Sequence, residues 1–232
     1  MVLAGSPSAA ANKSGVLINY VNFDNPEGLV LNGSAITGKG NRSAHVLRLT
    51  GNVHHQTGAA WSSVRVDTSQ SFTTTFDVSL GNNGMYADGI AFVVQGEGPG
   101  ASGWDGGGMG YRNIAPSVAV EFDTYQNVFD PDDNHVAVAV NGDVFEPLVS
   151  HPAPLRMSKA IFRNTVGYDA PSNTLRVWQQ RPDGSTRRLV IETTVDLPEL
   201  VGSAPAYVGF AGGTGSALAP QDVVKWTLVG TS

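Results

Sequence analysis

Apolar and polar residues alternate with period two along much of this chain, the spacing of a half-buried β-strand. The clearest runs are 15–23 (GVLINYVNF), 45–50 (HVLRLT), 59–66 (AAWSSVRV), 71–80 (SFTTTFDVSL), 89–95 (GIAFVVQ) and 117–123 (SVAVEFD). Further runs lie at 135–140 (HVAVAV), 162–169 (FRNTVGYD), 174–180 (TLRVWQQ), 187–195 (RRLVIETTV), 206–212 (AYVGFAG) and 223–229 (VVKWTLV). They are short and rich in Val, Ile, Phe and Thr, with Gly, Asn, Pro and Asp between them. Pro182-Asp183-Gly184 marks a hairpin turn between two of them. Helix signals are scarce: only 196–202 (DLPELVG) offers a turn, closed by Gly202. About a dozen strands without crossover helices predict an all-β, antiparallel β-sandwich of the jelly-roll kind.

One stretch departs from the pattern. In 117–140 (SVAVEFDTYQNVFDPDDNHVAVAV) two apolar strands flank an acidic loop. Period two puts Ala119, Glu121 and Asp123 on one face of the first strand, with Val118, Val120 and Phe122 on the other. In the second strand His135, Ala137 and Ala139 share a face. If the valines form core, the opposite face carries two carboxylates and an imidazole among alanines. Buried acids are costly unless paired or bound to a cation. The loop adds Asn127, Asp130, Asp132 and Asp133. Hard oxygen ligands suit Ca²⁺, and carboxylates with one imidazole suit Mn²⁺ or another transition metal. The spacing is not an EF-hand, for the central Gly and final Glu are missing.

Composition narrows the partners. The chain has 232 residues, 41% apolar, enough for one substantial core. Net charge is −6 with no basic cluster, which argues against nucleic acid or an anionic membrane. No apolar run approaches the ~18 residues of a membrane-spanning helix. Without cysteine there is no disulfide, thiol catalysis or Cys-ligated zinc. Residues 1–15 are expected to be a flexible tag or leader remnant, and 16–232 one domain. N-x-S sequons stand at Asn12, Asn32 and Asn41.

The acidic stretch resembles the metal-binding loop of the legume (L-type) lectins, V-x-V-E-F-D-T-x-x-N-x-x-D-P followed by a His. The resemblance extends over 16–229, through SFTTTFDVSL, ADGIAFVV, GGGMGYRN, GYDAPSNTLRVW, VDLPELV, YVGFAGGTG and QDVVKWTL. It implies a concanavalin-like sandwich with two adjacent metals. Asp123, the Tyr125 carbonyl, Asn127 and Asp130 would hold calcium. Glu121, Asp123, Asp130 and His135 would hold manganese. Asp130 is preferred over Asp132 and Asp133 because it precedes Pro131. The resemblance further implies a hexose held by Asp88, Gly107, Asn127 and Tyr125, with a cis Ala87–Asp88 peptide. Backbone N–H groups of Ser216 and Ala217 are candidate selectivity donors. Two departures bear on manganese: Ala137 replaces a common Gly, and Phe145 stands where some members have a Ser.

The function so implied is reversible, non-catalytic binding of mannose/glucose- or galactose-type glycans or glycoproteins. A shallow single site binds a monosaccharide at about −4 kcal/mol, so avidity requires a homodimer, a higher oligomer or a multivalent surface. The expected location is secreted or cell-surface. The alternative is a glycoside hydrolase using Glu121. It lacks a second carboxylate, because the next positions are Tyr125 and Gln126. Two other signals are set aside. The G-x-G-x-x-G at 98–103 is followed by glycines that cannot form the required helix. His54-His55 is expected to be a solvated loop with no carboxylate nearby.

Overall fold

The computed structural model describes residues 15–40, 44–81, 86–158, 160–202 and 205–231. The tag or leader reading of the N-terminus falls outside those residues except for Gly15, as do the sequons at Asn12 and Asn41. Strands run in chain order as β1 (Gly15–Tyr20), β2 (Leu29–Gly33), β3 (Ile36–Lys39), β4 (His45–Thr50) and β5 (Thr57–Ser62). Then follow β6 (Phe72–Leu80), β7 (Gly89–Gln95), β8 (Ser117–Asp123), β9 (His135–Val140) and β10 (Val149–Pro152). The last are β11 (Ile161–Asp169), β12 (Thr174–Gln180), β13 (Arg188–Thr194), β14 (Tyr207–Gly213) and β15 (Gln221–Gly230). The one described α-helix, α1 (Leu197–Val201), is a single turn. The Asp196 carboxylate accepts from the Glu199 N–H at 3.0 Å, and the Gly202 N–H donates to Pro198 at its end.

Two antiparallel sheets face each other. One runs β13-β12-β11-β6-β15-β4-β3 with β1 also on β15; the other runs β10-β9-β8-β7-β14-β5-β2. The expected β12–β13 hairpin forms across 182–184, with Gly184 at φ 85°. Apolar side chains from both sheets meet in the middle. Phe76 lies against Phe210 with ring centroids 4.9 Å apart, against Phe122 at 5.6 Å and Phe92 at 5.8 Å, and Phe210 lies 5.0 Å from Trp226. Edge-to-face contacts of this kind add to the burial of the rings. Phe76→Ala should therefore cost about 3–5 kcal/mol. At about 2–4 °C per kcal/mol for a chain of this length, the melting temperature should fall by roughly 10 °C, and an unchanged melt would contradict this packing.

The seven-stranded sheet is buried on its outer face as well. Every residue of β7 and β8 is buried. Ala59, Ala91, Ala119, Ala139 and Ala211 are small there, and Ala101, Met109, Tyr111 and Ile114 pack over them. The Trp61 Nε1–H donates to Ala101 at 2.9 Å. The segment 101–114 is thus fastened to the sheet, and it carries the 3₁₀ turn Gly106–Gly108 to one end of it.

Candidate functional site

The sheet register gathers the site. Gly89 at the start of β7 pairs with Asp123 at the end of β8 and with Gly213 at the end of β14. Asp88 therefore stands between the acidic loop and the loop after Gly213. Its backbone is joined to both: the Asp88 N–H donates to Gly213 at 3.0 Å, and Thr124 N–H donates to the Asp88 carbonyl at 2.9 Å. The Ala87–Asp88 peptide is cis, as the resemblance implies.

The strand faces fall as the period requires. Val118, Val120 and Phe122 enter the main core, and Ala119 faces the outer layer. Asp123 pairs with His135, and Glu121 with Ala137. Ligand atoms of Asp123, Asp130 and His135 lie within 4.8 Å of one another. His135 Nδ1 is 3.1 Å from the Asp132 carbonyl, and His135 Nε2 is 3.9 Å from Asp130 Oδ1. A carbonyl only accepts, so Nδ1 carries a proton, and Nε2 is the ring nitrogen turned toward Asp130. Such a back-bonded imidazole is the common form of a metal ligand.

The carboxylates repel. Burial pushes Glu121 up to about 7, with Asp130 adding to the shift and the Tyr111 hydroxyl, which donates to it, opposing. Asp123 is raised well above its usual range, first by burial and then by Asp130, Glu121 and Asp88, against the Tyr125 N–H that donates at 2.7 Å. Burial also raises Asp130, while the Asn127 N–H and His135 lower it. Asp133, by contrast, is forked onto Arg156 at 2.6 and 2.7 Å. Arg156 comes from outside the acidic loop, and it takes Asp133 and leaves Asp130 to the cluster.

Two buried polar atoms of the site have no hydrogen-bond partner, Asn127 Oδ1 and Asp88 Oδ2. Orphaned acceptors of this kind cost free energy unless something binds them. A Cβ on Gly107 would stand 2.8 Å from Asn127 Oδ1 and 2.9 Å from its Nδ2, so only glycine lets the turn lie against the amide. A Cβ on Gly215 would stand 3.7 Å from Asp88 Oδ2 and 3.2 Å from the Gly106 Cα. Asp88, the Gly106–Gly108 turn, Asn127 and Gly215 are thus neighbours. Burial brings Asp88 to about 7, opposed by the Gly215 backbone and reinforced by Asp105 and Asp130. Tyr125 and Ser216 are exposed and Ala217 is half-buried. The Ala217 carbonyl accepts from the Gly215 N–H at 3.1 Å.

Sequence reasoning missed Tyr111, whose hydroxyl holds Glu121. His54 and His55 lie exposed in a loop as expected, but a carboxylate does stand beside them. His55 Nδ1 lies 3.0 Å from Asp105 Oδ2, and His54 Nδ1 lies 3.2 Å from the Gly215 carbonyl. Phe145 packs on Phe129 at 4.8 Å and under Arg112 at 4.4 Å.

The chain matches a known family. The legume lectin beta-barrel domain matches residues 21–225, and the chain belongs to that family. A putative bark agglutinin of Robinia pseudoacacia is 27% identical over 247 residues, covering 99% of this chain and 87% of that protein. An L-type lectin-domain containing receptor kinase of Oryza sativa subsp. japonica is 30% identical over 185 residues, 73% of this chain. The chain spans only 26% of that kinase. Among solved structures, the lectin from Bauhinia forficata in complex with GalNAc superposes with a TM-score of 0.78 at 27% identity, covering 94% of this chain and 99% of that one. Lectins are non-catalytic carbohydrate-binding proteins, and the hydrolase alternative falls.

Proposed function

We propose that this chain binds hexoses reversibly in a metal-dependent site at one end of the seven-stranded sheet. The observation that carries the reading is the pair of buried, unpartnered acceptors, Asn127 Oδ1 and Asp88 Oδ2, flanking a cluster of acids that, among the described residues, has no lysine or arginine raising or lowering it. Asp123, Asn127, Asp130 and the Tyr125 carbonyl suit calcium by their oxygens. Glu121, Asp123, Asp130 and His135 suit manganese or another transition ion. When bound, these ions would neutralise the carboxylates and fix the Asn127 amide.

The chain's own residues then do the recognition. Asp88 accepts from two sugar hydroxyls. The Gly107 N–H and Asn127 NH₂ donate, and the Tyr125 ring, 37% exposed, covers a C–H face. The N–H groups of Ser216 and Ala217 help to choose between mannose/glucose-type and galactose-type sugars. The complex of the Bauhinia forficata lectin with GalNAc supports the galactose-type reading. Glycoproteins met outside the cell or at its surface fit such a site, and a homodimer or higher oligomer would supply avidity.

A glycan array run with calcium tests the reading. Signal on one hexose class is expected, and no reducing ends should appear on prolonged incubation with oligosaccharides. A blank array, or sugar release that Glu121→Gln removes, would count against it.

A further inference from the structure

The same register brings a fourth strand end to the site. In the sheet order β8-β7-β14-β5, Gly213 pairs with Thr57, so the residues just before β5 lie beside the loop that follows β14. Those residues are 53–56. They grip Thr214 and Gly215 through a continuous set of bonds. The Thr214 hydroxyl donates to the Val53 carbonyl at 2.8 Å and accepts from the Gln56 N–H at 3.0 Å. The Thr214 N–H donates to Gln56 at 3.0 Å, and the His55 N–H to the Gly215 carbonyl at 3.3 Å. That carbonyl also receives His54 Nδ1 at 3.2 Å. From the other side the Gly106 N–H donates to Thr214 at 3.1 Å. His55 completes the closure with Asp105, the residue before the Gly106–Gly108 turn.

We propose that residues 53–55 are a further wall of the carbohydrate site, a positioning segment that fixes the 215–217 loop and thereby sets hexose affinity and selectivity. The proposal rests on the site proposed above. Three observations carry it. His55 adopts φ 53°, a left-handed conformation that few non-glycine residues accept unless neighbours impose it. Both imidazole contacts end on backbone or side chains of loops that touch Asp88, so the segment acts on the site and not on the core. Finally, both Nδ1 atoms face acceptors. The Gly215 carbonyl and the Asp105 carboxylate accept, so each Nδ1 donates. The His55 side chain is 71% exposed. A loop held before the sugar arrives has less ordering to lose on binding.

The test compares wild type, the double variant His54→Ala/His55→Ala, and the double variant His54→Asn/His55→Asn. Asparagine Nδ2 can stand where imidazole Nδ1 donates. Calorimetry with methyl glucoside and methyl galactoside is run alongside calcium titration. The alanine variant should lose about tenfold in affinity for the preferred sugar, the scale of one or two hydrogen bonds. Its ratio between the two sugars should shift, and its calcium affinity should stay unchanged. The asparagine variant should recover most of the loss. An alanine variant that keeps wild-type affinity and ratio would overturn the proposal, as would a loss of sugar binding that merely tracks a loss of calcium. A wild-type chain that binds neither sugar would overturn the site itself.

Discussion

Excess chelator is expected to abolish hexose binding, and added calcium to restore it. Glu121 and Asp123 are buried and Asp130 half-buried in one cluster, with His135 as its imidazole, and each acid is pushed upward by burial and by neighbouring acids. Without a cation the cluster relieves this by taking up protons or by opening. Asn127 lies in the same loop, its N–H on Asp130 Oδ2 at 2.7 Å and its Oδ1 unpartnered. When the loop loosens, the amide is no longer aimed, and the sugar must bear the cost of ordering it. The expected loss is at least about 100-fold, the scale on which removing supports of a metal site acts. Stability should move in the same direction. A ligand at about 100 times its dissociation constant adds about 2.7 kcal/mol. At this chain length that is roughly 5–10 °C of melting temperature. Sugar binding that survives the chelator undiminished would refute the coupling.

Asp88→Ala should remove sugar binding and leave metal binding in place. Asp88 lies 3% exposed between the two loops, and its Oδ2 has no partner. A hydrogen bond to a charged acceptor contributes about 1.5–3 kcal/mol, and a carboxylate that accepts two hydroxyls accounts for most of a weak sugar's affinity. The accompanying stability change has a telling sign. Burial of the Asp88 carboxylate is only partly offset by the Gly215 backbone, and its removal relieves that desolvation cost, so the variant should melt no lower than wild type. Calcium titration should be unaltered, because Asp88 is not among the proposed ligands. Retained hexose affinity in this variant would show that the sugar sits elsewhere.

The strands that sequence periodicity missed share one property. β2, β3 and β10 are all edge strands. Each is short and none is buried, so no core face imposes alternation on it. The inner strand β7 announced itself by a nearly continuous apolar run, because loop residues cover the side that would otherwise be wet. The acidic cluster was legible because Glu121, Asp123, Asp130 and His135 lie within one strand–loop–strand unit. Asp88 and Gly107 were not legible from spacing, since only the pairing of Gly89 with Asp123 and Gly213, and the packing of Tyr111 and Met109, bring them there. They were reached through the family resemblance. His54 and His55 carried no local signal at all. Their partners Asp105 and Gly215 are 50 and 161 residues away in the chain, joined only by sheet register.

The central claim is that one acidic cluster binds metal and, through Asn127, presents a sugar site shared with Asp88. Anomalous diffraction at the manganese edge, from crystals grown with calcium, manganese and the preferred hexose, tests it most directly. The predicted result is a manganese peak among Glu121, Asp123, Asp130 and His135, a calcium beside it on Asn127 Oδ1, and sugar density against Asp88 and the Asn127 amide. Sugar bound away from Asp88, or a cluster that stays free of metal while the sugar is bound, would contradict it.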